Sequence, residues 1–225
     1  MPIYAIGDIH GNFESLNTFI NKKYPDIILQ CGDNAYYWGD NAYYWNEPKL
    51  GRIKSQNTKI YFVPGNHENW DMFEERIGRH GKYPVEVEKN IFMCPIGSTL
   101  KINDKIILFV GGADSIDKQY RIPTVSWWSQ EILNYNDFEY ISDNIEKADI
   151  VISHTVPEYF NVGSQYTDKI NDPTRKILNL IQDKYNPELW LAGHWHEYSF
   201  GRYNNTNWIV LNMINQTNWY KKVVI

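Results

Sequence analysis

The sequence predicts an α/β protein made of two packed, mixed β-sheets flanked by helices. Three observations predict this fold class: short β-rich runs recur and end in Gly, Asp, Asn or His, helical segments lie between several of them, and hairpin-like strands follow later in the chain. Nearly continuous apolar runs, such as residues 26–31, are typical of strands covered on both faces. Alternating βα units followed by hairpins favour two sheets packed together with helices outside.

The predicted strands are short segments spread along the whole chain. They span residues 3–7, 26–32, 59–65, 105–112, 149–154 and 188–193. Residues 85–112 indicate a meander with a turn at Asn103-Asp104, and residues 200–213 indicate a terminal hairpin that turns at Asn204-Asn205.

Capping residues predict three helices between the strands. Asn12 caps the first, Asn136 or Asp137 caps the second, and Asp172 caps the third with Pro173 at its first helical position. Counted from their caps, the helices run over residues 12–24, 136–147 and 172–184.

The composition indicates a single globular domain over residues 1–225. Hydrophobic residues make up 43% of the 225 residues, which is enough for one sizeable core, and no linker divides the chain. The net charge is −5 without a run of like charges, so no basic surface for nucleic acid is visible. Nucleic acid is therefore retained only as a ligand of the site itself.

Several features predict a soluble cytoplasmic protein that does not contact a membrane. A strand-like run begins at Ile3 without a secretion signal, and the longest apolar stretch, residues 106–113, is shorter than the ~18 to 20 residues that span a bilayer. The two cysteines, Cys31 and Cys94, lie on strand-like segments and form no CxxC pair. We expect them to be reduced thiols in the core.

Five of the six histidines lie beside Gly, Asp or Asn at the ends of predicted strands. The motifs are GDIHG at residues 7–11, GDN at 32–34, GNHE at 65–68, SHT at 153–155 and GHWH at 193–196. The carboxyl ends of strands in an open α/β sheet converge on one crevice. We therefore expect these residues to meet in a single site.

Two of the motifs hold pairs of candidate ligands two residues apart: Asp8 with His10, and His194 with His196. On an extended segment this spacing places both side chains on one side, so each pair could hold one ion. Carboxylate, imidazole and amide donors suit manganese, iron or zinc. Two ions about 3.5 to 4 Å apart need a bridging carboxylate, for which Asp33 is the natural candidate, and a bridging hydroxide would attack phosphorus in line.

In this order the five motifs resemble the calcineurin-like metallophosphoesterases, over roughly residues 3–196. The resemblance implies a four-layer αββα sandwich that hydrolyses a phosphate monoester or diester with two divalent metal ions. One ion would be held by Asp8, His10, Asp33 and His196, and the other by Asp33, Asn66, His154 and His194. His67 would stay unligated and protonate the leaving group or stabilise charge in the transition state.

The sequence departs from the protein serine/threonine phosphatase branch of that family, which carries GDxxDRG. Tyr36 stands at the second aspartate position and the arginine is missing, which argues against protein-phosphatase activity. Residues 111–128 instead resemble small bacterial and phage members, from which no substrate carries over. A nucleotide or a nucleic acid stays open as the phosphate ester.

Two residues near the motifs have alternative roles. Arg121 could bind the phosphate oxygens of a substrate, or lie at the surface or in an ion pair. Glu68 could hydrogen-bond to the His67 imidazole, or cap a helix that begins near Trp70.

Three further polar residues are given no role in the site, although Asp114 and Asp117 are expected near it. His80 lies in a polar stretch between Arg79 and Gly81, which predicts solvent exposure. Asp114 and Asp117 follow two glycines, so turn chemistry explains them.

The heptapeptide of residues 32–38 is repeated exactly at residues 39–45. We interpret the repeat as a duplication within a loop, in which Asp40 is not a ligand. Its aromatic rings could stack on a nucleobase, but covering the core or forming a protein interface is favoured, as for Trp127-Trp128. The alternative to an enzyme is therefore a non-catalytic scaffold of the same fold that binds a partner protein through this aromatic loop.

Overall fold

The computed structural model describes residues 1–35, 52–163 and 171–225 and confirms the predicted fold class. Within these residues, two mixed six-stranded β-sheets are flanked by helices. In chain order the strands are β1 (Ile3–Ile6), β2 (Ile27–Gln30), β3 (Lys59–Phe62), β4 (Val85–Glu88), β5 (Ile91–Met93), β6 (Thr99–Ile102), β7 (Lys105–Val110), β8 (Ile150–Ser153), β9 (Leu189–Ala192), β10 (Ser199–Tyr203), β11 (Thr206–Val210) and β12 (Tyr220–Val223).

Each sheet contains a block of four parallel strands, three of which position the site. The first sheet has the order β12-β1-β2-β3-β5-β4, and the second has the order β10-β11-β9-β8-β7-β6. Strands β1, β2 and β3 are parallel neighbours, and so are β7, β8 and β9. The carboxyl ends of each block therefore lie at one edge of its sheet, where the loops carry the motifs.

Four α-helices lie within the described residues: α1 (Phe13–Lys23), α2 (Trp70–Ile77), α3 (Tyr135–Asn144) and α4 (Pro173–Tyr185). Two of the predicted caps are confirmed. The side chain of Asn12 accepts a hydrogen bond from the amide of Ser15, and that of Asp172 accepts one from the amide of Thr174. Pro173 occupies the first turn of α4, where no amide is needed.

The predicted cap of α3 was wrong by two residues. Asn134 is the cap, and its side chain accepts a hydrogen bond from the amide of Asn136 at 2.9 Å. Asp137 reaches back to accept from the amide of Asn134 at 2.9 Å, so it completes a capping box instead of starting the helix. The helix also ends at Asn144, before the predicted end at Lys147.

The predicted meander over residues 85–112 is divided between the two sheets. Strand β5 joins the first sheet, parallel to β3, whereas β6 and β7 form an antiparallel pair in the second. The turn at Asn103 is confirmed, as is the terminal hairpin, which turns at Asn204; both residues have positive φ. Strand β12 was not predicted, because its two exposed lysines, Lys221 and Lys222, obscure the apolar pattern of an edge strand.

The core contains two clusters of buried side chains, which are formed by alternate residues of the same strands. Ile27 and Leu29 of β2 belong to a cluster drawn from strands of both sheets, which therefore fills the space between them. Ile28 belongs to a second cluster with buried residues of all four helices. Because successive side chains of a strand point to opposite faces, this alternation produces a four-layer αββα sandwich.

The two cysteines are buried free thiols, as expected. Both Cys31 and Cys94 lie in the layer between the sheets, and burial raises the pKa of each thiol well above its ordinary value. Among the described residues, no helix is long and apolar enough to cross a membrane.

Candidate metal centre

All seven predicted ligands lie in loops that follow parallel strands, and they form two neighbouring groups of donor atoms. In the first group, one ligand atom from each of four residues lies within 4.8 Å of the others; these residues are Asp8, His10, Asp33 and His196. Nε2 of His196 lies 2.9 Å from Oδ2 of Asp8 and 2.9 Å from Nε2 of His10. Nitrogen and carboxylate oxygen atoms thus converge on one point.

The second group surrounds the side chain of Asn66. Its Oδ1 atom lies 2.9 Å from Nε2 of His154 and 3.0 Å from Nδ1 of His194. Nδ1 of His154 donates to the carbonyl oxygen of Cys31 at 2.8 Å, which fixes the ring with Nε2 toward the site.

Asp33 connects the two groups through the two oxygens of one carboxylate. Its Oδ2 atom lies 3.8 Å from Nε2 of His10, and its Oδ1 atom lies 3.4 Å from Nε2 of His154. Oδ1 also accepts a hydrogen bond from the amide of His67 at 3.0 Å. The carboxylate therefore has the position that a bridge between two cations requires.

The two histidines of the GHWH motif do not face one ion together, contrary to the argument from an extended segment. His194 faces Asn66, whereas His196 faces Asp8. The reason is the backbone: φ is 71° at His194 and 48° at His196. His10 and Asp33 are also left-handed, with φ values of 47° and 50°. Such conformations cost energy for residues other than glycine and concentrate at functional sites.

Two motif glycines allow the ligands to come close to the backbone. A Cβ atom on Gly193 would lie 2.1 Å from Oδ1 of Asp8. A Cβ atom on Gly32 would lie 2.2 Å from Nδ1 of His154, and Gly32 also has a φ of +100°. Any larger residue would displace a candidate ligand, so the glycines are part of the site.

The charges within the site suit a cation. Burial opposes ionisation of Asp33, but nearby His154 and His67 outweigh it and hold the pKa of Asp33 well below its ordinary value. Burial would lower the pKa of His154, but the Asp33 carboxylate raises it to about 10. For His10 and His194, burial prevails and lowers the pKa. An ionised Asp33 thus lies among imidazoles, each of which can bind a divalent cation in its neutral form.

His67 and Arg121 lie beside these donor groups. Nη2 of Arg121 is 3.0 Å from Nε2 of His67 and 2.9 Å from Oδ1 of Asp117. The Arg121 side chain is only 7% exposed, and its Nη1 donates to the carbonyl oxygen of Asn66 at 3.4 Å. Arg121 is therefore in an ion pair, which was one of its two expected roles, and it adjoins the site; its binding of phosphate oxygens stays a prediction.

Residues 1–198 match the family model for calcineurin-like phosphoesterases. This chain belongs to the calcineurin-like phosphoesterase family. The match includes every candidate ligand, since the last of them is His196. Members of this family are metal-dependent phosphoester hydrolases, and the donor set described above fits divalent metal ions.

Solved structures agree with the calcineurin-like phosphoesterase fold. One crystal structure is 18% identical in sequence and has a TM-score of 0.57. The alignment covers 94% of this chain and 90% of the chain in that structure. The phosphopantetheinyl hydrolase PptH from Mycobacterium tuberculosis, at 15% identity, covers 99% of this chain and 95% of its own, with a TM-score of 0.50. At such identities the similarity establishes the fold alone. A comparison with curated proteins finds no match.

Glu68 of this calcineurin-like phosphoesterase takes a different role from the two that were expected. It is buried, and its two oxygens accept hydrogen bonds from the amides of Ala35 at 2.8 Å and Gly65 at 2.6 Å. The cap of α2 is Asn69 instead. Glu68 thus links the GDN loop to the GNHE loop through these two hydrogen bonds. Burial raises the pKa of Glu68 to about 7.

The expected solvent exposure of His80 was wrong. Nε2 of His80 lies 2.7 Å from Oδ1 of Asp137, and its ring stacks on Tyr140 with the centroids 4.5 Å apart. Arg79 donates to both oxygens of Asp137 at 2.7 and 2.8 Å. A buried carboxylate therefore brings the side chains of both Arg79 and His80 inward, which a polar stretch of sequence does not reveal.

Trp128 belongs to the core, which agrees with the role favoured for it from the sequence. Its Nε1 atom donates a hydrogen bond to Asp71 at 2.9 Å. Asp114 and Asp117 do more than form a turn, because Asp114 pairs with Lys118 at 2.7 Å and Asp117 pairs with Arg121. The aromatic residues at 36–45 and Asp40 lie outside the described residues.

Sequence reasoning missed the residues that hold Asn66. Nδ2 of Asn66 donates to Oγ of Ser115 at 3.0 Å, and the amide of Ser115 donates to Oε1 of Glu131 at 2.8 Å. All three residues are buried, and burial raises the pKa of Glu131 to about 8. The available signal was Gly111-Gly112, which follows strand β7 as a glycine follows four of the five motif-bearing strands.

Proposed function

We propose that this protein hydrolyses a phosphate monoester or diester with two divalent metal ions, for which manganese, iron and zinc are the candidates. The position of the Asp33 carboxylate carries the proposal, because its two oxygens face two separate groups of donor atoms. Asp8, His10 and His196 would complete the first group. Asn66, His154 and His194 would complete the second.

The metal ions, when bound, would supply positive charge that activates a water near neutral pH and stabilises the developing charge on phosphate oxygens. The protein's own contribution is to fix the donor atoms before a substrate arrives. Four ligands are held in left-handed conformations and others are fixed by backbone hydrogen bonds, so little rearrangement is needed on binding.

His67 and Arg121 are the residues proposed to act on the substrate. The backbone amide of His67 donates a hydrogen bond to Oδ1 of Asp33. This contact places the His67 imidazole beside the candidate metal centre, where it need not be a ligand. From there it could give a proton to the departing oxygen or stabilise charge on it. Arg121 presents a guanidinium group to the same space, where it could bind two oxygens of a phosphate.

A nucleotide or nucleic acid remains the candidate class for the rest of the substrate. The aromatic residues that would stack on a base lie outside the described residues, and no observation favours the scaffold alternative. We also propose a cytoplasmic location, which the two buried free thiols support.

The test is hydrolysis of p-nitrophenyl phosphate and its bis ester by protein reconstituted with Mn²⁺. We expect activity in the wild type, its loss in Asp33→Asn and a smaller fall in His67→Ala, because the p-nitrophenolate leaving group needs no proton, with circular dichroism unchanged in all. Asp104→Asn, in the exposed turn between β6 and β7, is the matched control and should keep full activity. Equal rates in all four proteins would contradict the proposed mechanism, and a wild type that binds no divalent metal would favour the scaffold.

A further inference from the structure

The amide of Asn66 can serve as a metal ligand in only one of its two orientations. Its oxygen carries lone pairs, whereas its nitrogen carries two hydrogen atoms that a cation would repel. Oδ1 lies toward His154 and His194 at 2.9 and 3.0 Å, which is the orientation that a metal ion requires. His154 contacts the oxygen side of the amide, and a partner on the nitrogen side can fix the same orientation independently.

The group on that side is the hydroxyl of Ser115, 3.0 Å from Nδ2. A hydroxyl alone does not decide the orientation, because it can accept from an amide nitrogen or donate to an amide oxygen. The orientation is decided only if the hydroxyl hydrogen is already used elsewhere.

Glu131 supplies the acceptor that uses this hydrogen. Its side chain is fully buried, and its Oε1 atom accepts from the amide of Ser115 at 2.8 Å, whereas Oε2 has no hydrogen-bond partner among the described residues and is available as an acceptor for the Ser115 hydroxyl. A carboxyl group has an acceptor oxygen in either protonation state, so the hydroxyl can donate to Glu131. The remaining lone pairs of Ser115 Oγ then accept from Asn66, and Oδ1 of Asn66 faces the metal centre.

We infer that Ser115 and Glu131 are positioning residues that hold the Asn66 amide with its oxygen toward the second metal ion. This inference rests on the proposed function and extends it to residues that touch neither metal nor substrate. Residues 111–121 thereby support the site twice, since Arg121 of the same segment contacts His67.

Titration of metal-free protein with Mn²⁺ in a calorimeter tests the inference. We expect two Mn²⁺ sites in the wild type, and a loss of about 10- to 100-fold in affinity at one site in Ser115→Ala, as for other residues that orient ligands. Ser115→Thr keeps the hydroxyl and should stay within about threefold of the wild type. Ser98→Ala removes a hydroxyl that is buried away from the site and should match the wild type.

Glu131→Gln provides an independent variant, because the new amide can donate to Ser115 and release its hydroxyl hydrogen toward Asn66. We expect the same single site to weaken, and kcat with p-nitrophenyl phosphate to fall more than KM rises. Two unchanged Mn²⁺ sites in both Ser115→Ala and Glu131→Gln would overturn the inference while the proposed function stands. Equal losses in Ser115→Thr and Ser115→Ala would also overturn it. A wild type without Mn²⁺ sites would overturn both.

Discussion

Nη2 of Arg121 lies 3.0 Å from Nε2 of His67, so the ring nitrogen accepts a hydrogen bond from the guanidinium group. A guanidinium group is always a donor, and an accepting Nε2 carries no proton. A phosphate that binds Arg121 would compete for this contact and free Nε2 of His67, which would then take up a proton from solvent before giving it to the departing oxygen.

Replacement of Arg121 by alanine should weaken substrate binding more than it slows the chemical step. We expect kcat/KM for p-nitrophenyl phosphate to fall by about 10- to 100-fold, mainly through KM, because charged hydrogen bonds to phosphate are lost. Arg121→Lys should recover only part of the loss, since an ammonium group cannot bind two oxygens in the same plane. An Arg121→Ala enzyme with unchanged KM would show that this side chain does not bind the phosphate.

The role of His67 can be resolved by changing the leaving group. If His67 protonates the departing oxygen, His67→Ala should lose about 10²- to 10⁴-fold with phenyl phosphate and much less with p-nitrophenyl phosphate, whose leaving group needs no proton. Comparable losses with both substrates would indicate charge stabilisation instead. A variant that retains full activity on both would remove His67 from the mechanism.

Replacement of Gly65 by alanine should disable the metal centre through Asp33. The added Cβ would lie 2.0 Å from Oδ1 of Asp33 and 2.4 Å from its backbone nitrogen, so the carboxylate must move. We expect weaker Mn²⁺ binding in a calorimeter and a lower Tm. Gly163→Ala is the control for Mn²⁺ binding, because its Cβ meets nothing within 4 Å; its φ of +78° can lower Tm, but it should bind Mn²⁺ normally. Normal binding by Gly65→Ala would contradict the position assigned to Asp33.

Asp137 should stabilise the fold in a manner that depends on pH. Burial would raise its pKa, but hydrogen bonds with His80 and Arg79 outweigh burial and lower the pKa below its ordinary value of 3.8. Such a group contributes its full stability above the pKa of the unfolded chain and loses it as the pH falls through the lower folded value. Asp137→Asn should therefore lower the free energy of unfolding by about 2 to 4 kcal/mol at pH 7.

Urea unfolding of the metal-free proteins between pH 7 and pH 3 measures this effect. The difference between wild type and Asp137→Asn should narrow as the pH falls below about 4. Asp143→Asn, on the exposed side of the same helix, should match the wild type throughout. A constant difference between wild type and Asp137→Asn at all pH values would contradict the electrostatic account.

The sequence allowed the site to be predicted because its ligands are of unusual types in unusual places. Asp8, Asn66 and His154 follow apolar strands, where charged or polar residues would otherwise be costly, so their convergence could be inferred from topology. The order of the five motifs along the chain then indicated the family.

Features that depend on three-dimensional neighbours could not be predicted in this way. His80 and Asp137 are far apart in the chain, and their contact arises only when α3 packs against the segment between α2 and β4. The left-handed backbone at His194 and His196 separates two ligands that a simple two-residue spacing would place together. Ser115 carries no distinctive pattern, and its role follows only from the atom it contacts.

The central claim is that Asp33 bridges two metal ions, and anomalous diffraction from a crystal soaked in Mn²⁺ tests it most directly. The account predicts two anomalous peaks about 3.5 to 4 Å apart, one on each side of the Asp33 carboxylate, with Asn66 and His196 on opposite ions. Peaks distant from Asp33, or no peak among these side chains at saturating Mn²⁺, would contradict it.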